Sequence, residues 1–258
     1  MVQFDQWCDE AIEAVGAHAL HVLSGTAVGL QHSCEAVAVA VADHYAAEER
    51  VAHVLRRLGK PAAAAFIEGK LPTTKAIRSG DLGEILATEY IVDQTTYDVP
   101  IKRLRWKDHR NMAMRGDDVI GMSRDPGTDR LKFLKTEAKS RVALAAGVVA
   151  SARAGLDKDG GLPSAHALSF ISSRLLEMGN TTLADSIDDA QLKLGIPPQS
   201  VKHLLFTFSG NDPANHLRPS LTAYGGPIAQ QSVGVRVEAH ADFVSAVYDL
   251  VIANANND

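Results

Sequence analysis

Two short stretches carry residue types whose spacing suits phosphate chemistry. One is Gly116-Asp117-Asp118-Val119-Ile120-Gly121 and the other is Phe133-Leu134-Lys135-Thr136-Glu137-Ala138-Lys139-Ser140-Arg141. The first reads as an acidic residue entering a β-strand, the second as Glu-x-Lys near the end of the next strand. Side chains two apart on a strand project to the same face. Glu137 and Lys139 therefore share a face, and a paired strand brings Asp118 beside them. Two carboxylates at one spot suit Mg²⁺, which takes oxygen ligands and keeps several waters. A neighbouring ammonium can orient an attacking water or stabilise charge on a phosphoryl group. Such a set is equipment for cutting a phosphodiester. Glu-x-Lys alone is common on solvent-facing strands; its weight here comes from the Asp-Val-Ile-Gly strand before it and the helix after it.

Asp117 and Asp118 are alternatives for the first carboxylate. Asp118 starts the strand and is preferred, whereas Asp117 follows Gly116 as a turn residue would. Glu84, in Ser79-Gly80-Asp81-Leu82-Gly83-Glu84, stands in a helix ahead of these strands and could complete a metal shell or position a water. The same spacing from Asp81 also fits a capping box, in which Glu84 would serve orphan amides at a helix start. Both readings stand at the level of sequence.

The densest basic stretch, Lys102, Arg103, Arg105, Lys107 and Arg110, extending to Arg115, lies just before Asp118. Together with Arg141 it is assigned to DNA phosphates, which require charge and no base reading. Trp106 could stack on a base.

Elements to hold these residues follow from apolar periodicity. Helices are expected over residues 4–23 and 35–58, the second stopping at Gly59-Lys60-Pro61, and over 81–92. Strands are expected over 97–106, 118–122 and 131–139, the last two joined by a loop centred on Asp-Pro-Gly. Helices at 142–154, 165–178 and 182–194 precede strands at 203–208 and 232–237, and a helix over 242–253 closes the chain.

The chain has 258 residues, 46% apolar and 22% charged, with a formal net charge of −5. These values fit an α/β protein with a substantial core, and one that meets nucleic acid only through a local patch, a metal or a partner. Cys8 and Cys34 have no zinc or CxxC spacing, which suits a reducing compartment. The first residues carry acid where a leader peptide needs base, and no apolar run approaches a membrane span; a cytoplasmic location is expected. The ten histidines include no HExxH pattern, Gly69-Lys70 lacks the rest of a phosphate-binding loop, and no serine sits in GxSxG.

Gly80-Asp81-Leu82-Gly83-Glu84, Asp118-Val119-Ile120-Gly121 and Glu137-Ala138-Lys139 together resemble the PD-(D/E)xK nuclease superfamily, with Asp117 where its signature has Pro. The run from Leu104 to Asp118, with Phe133 to Arg141, more closely resembles the nuclease subunits of Hachiman anti-phage defence systems, over about residues 75–141. The resemblance implies a restriction-endonuclease-like α/β core, a mixed central sheet flanked by helices. Residues 75–258 would form this nuclease domain, and residues 1–74 an N-terminal helical region suited to partner docking. It implies Mg²⁺ or Mn²⁺ as cofactor, and DNA and a superfamily 2 helicase as partners. Asp118, Glu137 and Lys139 match the catalytic motif and Glu84 the helical acidic position, so that Asp118, Glu137 and Glu84 would be the metal ligands. The alternatives are a stand-alone restriction or junction-resolving nuclease, and an inactive DNA- or partner-binding module of the same fold.

Overall fold

Six strands form one mixed sheet in the order β1-β2-β6-β5-β4-β3. The computed structural model describes residues 1–26 and 29–257. In chain order the elements are β1 (Cys8–Val15), β2 (His18–Gly25), α1 (Gly29–Tyr45), α2 (Glu48–Leu58), α3 (Lys60–Lys70), α4 (Lys75–Gln94), β3 (Val119–Arg124), β4 (Leu131–Arg141), α5 (Ala146–Asp157), α6 (Ala165–Glu177), α7 (Thr181–Asp188), β5 (Val201–Ser209), α8 (Ala214–Thr222), β6 (Gln230–Arg236) and α9 (His240–Asn257).

Four strands, β2, β6, β5 and β4, run parallel, while β1 and β3 pair antiparallel at the two edges. On central β5, Leu204, Phe206 and Phe208 pack with α1, α4 and α9, and Leu205 faces α5 and α8. A strand buried on both faces reads as a continuous apolar run, as this one does. Phe133 of β4 packs instead with α6 and α7. The result is helices on both faces of the sheet. Among the described residues no helix is long and apolar enough to cross a membrane.

Three expectations are corrected. Residues 4–23 are not a helix: they contribute β1 and β2, joined by Gly16-Ala17. Gly16 has φ 60°, the conformation a two-residue II′ hairpin demands of its first loop residue. The expected N-terminal helical region is thus helical only from Gly29 onward, and Val2, Phe4 and Trp7 lie in the same core as α4 and β5. Residues 35–58 form two helices, because Ala47 adopts an extended conformation. Gly59 then ends α2 with φ 83° and caps α3, and Pro61 lies in the first turn of α3, where its missing N–H costs nothing. Residues 97–106 are not a strand: only Asp98 bridges to Met122, and residues Arg103–Trp106 coil into a 3₁₀ turn. Helices α3 and α8 had no counterpart in the sequence reading.

Elsewhere the reading holds. Asp125 Oδ1 accepts the Gly127 and Thr128 amides at 3.0 Å, so the Asp-Pro-Gly turn closes the β3–β4 hairpin as its chemistry requires.

Glu89 of α4 pins the start of the chain to this core. Its carboxylate accepts the Val2 amide at 3.0 Å and His44 Nε2 at 3.1 Å, and Lys102 Nζ lies 3.8 Å away. Burial alone would raise its pKa, but these donors outweigh burial and hold the carboxyl down at about 2. A depressed carboxyl contributes stability that is present above the unfolded value, near 4.5, and lost as pH falls through the folded one. Urea unfolding should therefore show stability falling between about pH 4.5 and 2, by roughly 3 kcal/mol from this group. Glu89→Gln should remove much of that slope; an unchanged slope in the variant would assign it elsewhere.

Candidate active site

Strand β3 begins at Val119, paired with Thr136, so β4 continues to Arg141 without a β3 partner. An uncovered edge leaves backbone groups to be satisfied by other means. The Ala138 amide is taken by Asp118 Oδ2 at 2.9 Å, which ties this carboxylate to the backbone between Glu137 and Lys139. Lys139 Nζ stands 2.5 Å from Glu137 Oε1 and 4.0 Å from Asp118 Oδ2. The three residues singled out from the sequence are thus brought together, with the ammonium against both carboxylates.

Helix α5 packs over Glu137 so closely that a Cβ on Gly155 would lie 2.6 Å from Glu137 Cδ. Gly155 is required for this close approach, not for its φ. Burial, and then the charge of Asp118, raise the Glu137 pKa against the opposing pull of Lys139.

Glu84 joins the cluster through Arg103. Both side chains are 13% exposed. Arg103 Nε and Nη2 donate to the two Glu84 oxygens, and Nη2 also lies 3.3 Å from Asp118 Oδ1. Nη1 donates to the carbonyls of Asp117 at 2.6 Å and Arg115 at 3.4 Å. Burial raises the Glu84 pKa and Arg103 opposes it. The capping-box reading of Asp81 and Glu84 is excluded, because α4 starts at Lys75 with Thr74 as its N-cap.

Asp117 points away from this cluster. Its Oδ2 accepts the Ser164 amide at 2.8 Å and its Oδ1 lies 3.4 Å from Lys135 Nζ. Lys135, 1% exposed, is otherwise held by the carbonyls of Lys158 and Leu162 at 2.8 and 2.9 Å. Of the two adjacent acids, Asp118 is the one that meets Glu137 and Lys139.

The basic stretch divides. Lys102 and Arg105 both bind Asp43 of α1, Arg103 binds Glu84, and Lys107 binds Asp81 of α4 with both side chains nearly inaccessible. Each of the four is paired with a carboxylate, Arg103 and Lys107 deeply and Lys102 and Arg105 with 28% and 21% of the side chain still exposed, so the stretch is not one free basic surface. Arg110, Arg115 and Arg141 are exposed. Trp106 packs edge-on against Phe170 at 6.3 Å, in the wall of a cleft of about 520 Å³ that also includes Glu84, Arg103 and Asp118.

Sequence reasoning missed Asp43 and Glu89 as partners of that stretch and weighed Asp81 only as a cap. The available signal was acids interrupting apolar helix faces, as in Asp81-Leu82-Gly83-Glu84-Ile85-Leu86-Ala87-Thr88-Glu89; buried acids demand cations.

Among the described residues no three His, Cys, Asp or Glu side chains converge as a ready metal cage. Asp118 and Glu137 nevertheless fit a divalent cation in donor chemistry: two carboxylates converge on one ammonium. Glu84 is committed to Arg103.

A family model described as HamA matches residues 1–251. The chain belongs to the HamA family. Hachiman protein HamA of Bacillus cereus is 26% identical to it over 183 residues, 71% of this chain and 64% of the relative. The matched stretch therefore covers less than two thirds of that relative. The resemblance to Hachiman systems drawn from residues 104–118 and 133–141 agrees with both comparisons, and the HamA match reaches into the first and last thirds, beyond those motifs.

Proposed function

We propose that this HamA-family chain is a metal-dependent deoxyribonuclease with a PD-(D/E)xK core, the effector of a cytoplasmic Hachiman anti-phage complex that works with a superfamily 2 helicase. One observation carries the reading: Asp118, Glu137 and Lys139 converge where β3 leaves the edge of β4 uncovered. Asp118 and Glu137 would hold Mg²⁺ or Mn²⁺, which supplies Lewis-acid stabilisation of charge on the phosphoryl oxygens. Lys139 would orient the attacking water and donate to the phosphoryl group as charge accumulates. The water oxygen bonds to phosphorus, the P–O3′ bond breaks, and the 3′-oxygen takes up a proton, leaving a 5′-phosphate. Glu84 assists at one remove, through Arg103 on Asp118. Arg110, Arg115 and Arg141, the exposed cations, would contact the DNA backbone. Helicase docking falls to α1–α3, whose surface exposes Val39, Leu55 and Leu58.

The test is plasmid cleavage with Mg²⁺ or Mn²⁺, with and without the partner helicase, comparing wild type with Glu137→Ala/Lys139→Ala. Cleavage lost in the double variant supports the site, and dependence on the helicase separates the defence complex from a stand-alone nuclease. Wild type that cleaves under none of these conditions sinks the nuclease reading in favour of a binding module.

Gly155→Ala probes the same site from the helix side. Alanine favours a helix interior over glycine by about 1 kcal/mol, so the thermal midpoint should change little. The added methyl must displace the Glu137 carboxyl, and cleavage should fall at least about tenfold, since small misplacements of reacting groups are costly. Wild-type cleavage by a normally folded variant would show that this packing is not needed.

A further inference from the structure

We propose that Arg103 is a positioning residue: a buried cation that fixes the Asp118 carboxylate against the Ala138 amide and keeps Glu84 from acting as a metal ligand. The proposal rests on the nuclease reading for its functional consequence, but not for its geometry. Arginine has five N–H donors in a rigid fork. Here the five contacts described above account for all of them: two on Glu84, one on Asp118 and two on the carbonyls of Asp117 and Arg115. A guanidinium so engaged has no donor left for a DNA phosphate, although its place in the basic stretch suggested that role.

The consequences run in two directions. Asp118 is held from both sides, its Oδ1 by Arg103 and its Oδ2 by Ala138. The carbonyl contacts to residues 115 and 117 fix the turn that presents it, where Gly116 has φ 92°. On the other side, both Glu84 oxygens face the guanidinium, so Glu84 sets the position of Arg103 instead of reaching a cation. Lysine cannot substitute, because one ammonium with three donors cannot span two carboxylates and two carbonyls. The chain Glu84–Arg103–Asp118–Ala138 therefore links α4 to the uncovered edge of β4 through side chains.

Amide hydrogen exchange of the full-length protein, followed by NMR without added metal, tests this locally. The Ala138 N–H points to Asp118, while the neighbouring parts of β4 pair with β5. Arg103→Lys should accelerate exchange at Ala138 at least tenfold, approaching Asp118→Ala, while amides that β4 donates to β5 keep their protection. Loss of protection along the whole strand would indicate general destabilisation and overturn a positioning role. If Arg103→Lys does not fold, Glu84→Gln carries the test: it should accelerate Ala138 at least threefold although Glu84 does not touch Asp118. Ala138 exchange unchanged in the folded variant also overturns the proposal. A parallel Mn²⁺ titration separates the two readings. Glu84→Gln should leave affinity within about threefold of wild type where Asp118→Asn reduces it more than tenfold. Equal losses would make Glu84 a ligand and contradict the assignment. A wild type that binds no Mn²⁺ defeats the nuclease reading and leaves the exchange result to decide the role of Arg103.

Discussion

On the proposed nuclease reading, Glu137→Gln should reduce DNA cleavage at least a thousandfold while leaving the fold as stable as before or more so. A thousandfold loss corresponds to about 4 kcal/mol of transition-state stabilisation, within the several kcal/mol that a metal-held charge supplies. The amide of Gln keeps an oxygen for Lys139 but cannot replace an anionic ligand. The stability side follows from electrostatics. Burial and the charge of Asp118 raise the Glu137 pKa, so its ionised form is less favourable in the folded chain than in the unfolded one. Such a carboxyl opposes folding at neutral pH, and the opposition disappears once pH falls below the unfolded value. Replacing it by a neutral amide of the same shape removes that opposition. A gain of 1 kcal/mol would appear as about 2–4 °C in melting temperature for a chain of this size. Opposite signs for activity and stability distinguish a functional carboxylate from a structural one. Cleavage within tenfold of wild type would remove Glu137 from the mechanism, and a large drop in melting temperature would make it a structural residue.

Asp81→Ala should do the reverse: burial raises the Asp81 pKa as it does that of Glu137, but here the lost carboxylate leaves a buried ammonium unpaired, and breaking a buried ion pair on one side removes about 3–5 kcal/mol of stability. Asp81 Oδ2 accepts from Lys107 Nζ and, at 2.5 Å, from Tyr45 Oη. Lys107 and Asp81 are 5% and 8% exposed. The network continues from Tyr45 to Tyr248 at 3.1 Å and from Tyr248 to the Arg78 carbonyl at 3.2 Å, joining α1, α4 and α9 to the segment 102–118. Removing the carboxylate strands the Lys107 ammonium in a site water barely reaches. Urea unfolding measures the loss, and a thermal midpoint about 10 °C lower should accompany it. Asp81→Ala/Lys107→Met should recover most of the stability, because it removes the stranded charge as well. A loss under about 1 kcal/mol in the single variant would show that Lys107 escapes to solvent.

The two predictions also mark what could be read from the residues. Asp118, Glu137 and Lys139 were legible because they lie on one hairpin, where the Asp125-Pro126-Gly127 turn and the two-residue alternation fix their placement locally. The part of the site set by distant partners was not. Lys102, Arg103, Arg105 and Lys107 look alike in a string whether they face solvent or a buried carboxylate, and their partners Asp43, Asp81, Glu84 and Glu89 lie on helices far upstream. Residues 4–23 failed for a related reason. Their apolar spacing fits a helix as well as a strand, and β2 is fixed by β6, with Val22 opposite Gly234. Gly16 was the one local sign of a hairpin. Residues 97–106 alternate as a strand would, but after Asp98 their polar side chains are drawn to carboxylates on α1 and α4.

The pairing of β2 with β6 has a consequence for biosynthesis. On the ribosome, His18–Gly25 emerges long before Gln230–Arg236, so the β1–β2 hairpin must wait for nearly the whole chain before it can join the sheet. Such non-local pairing folds slowly. The parallel partner of β4, which backs Glu137 and Lys139, also arrives late, at Val201–Ser209. A nascent chain therefore carries Asp118, Glu137 and Lys139 well before it carries the sheet that brings them together, and a truncated product ending before β5 would lack the support that holds that cluster together.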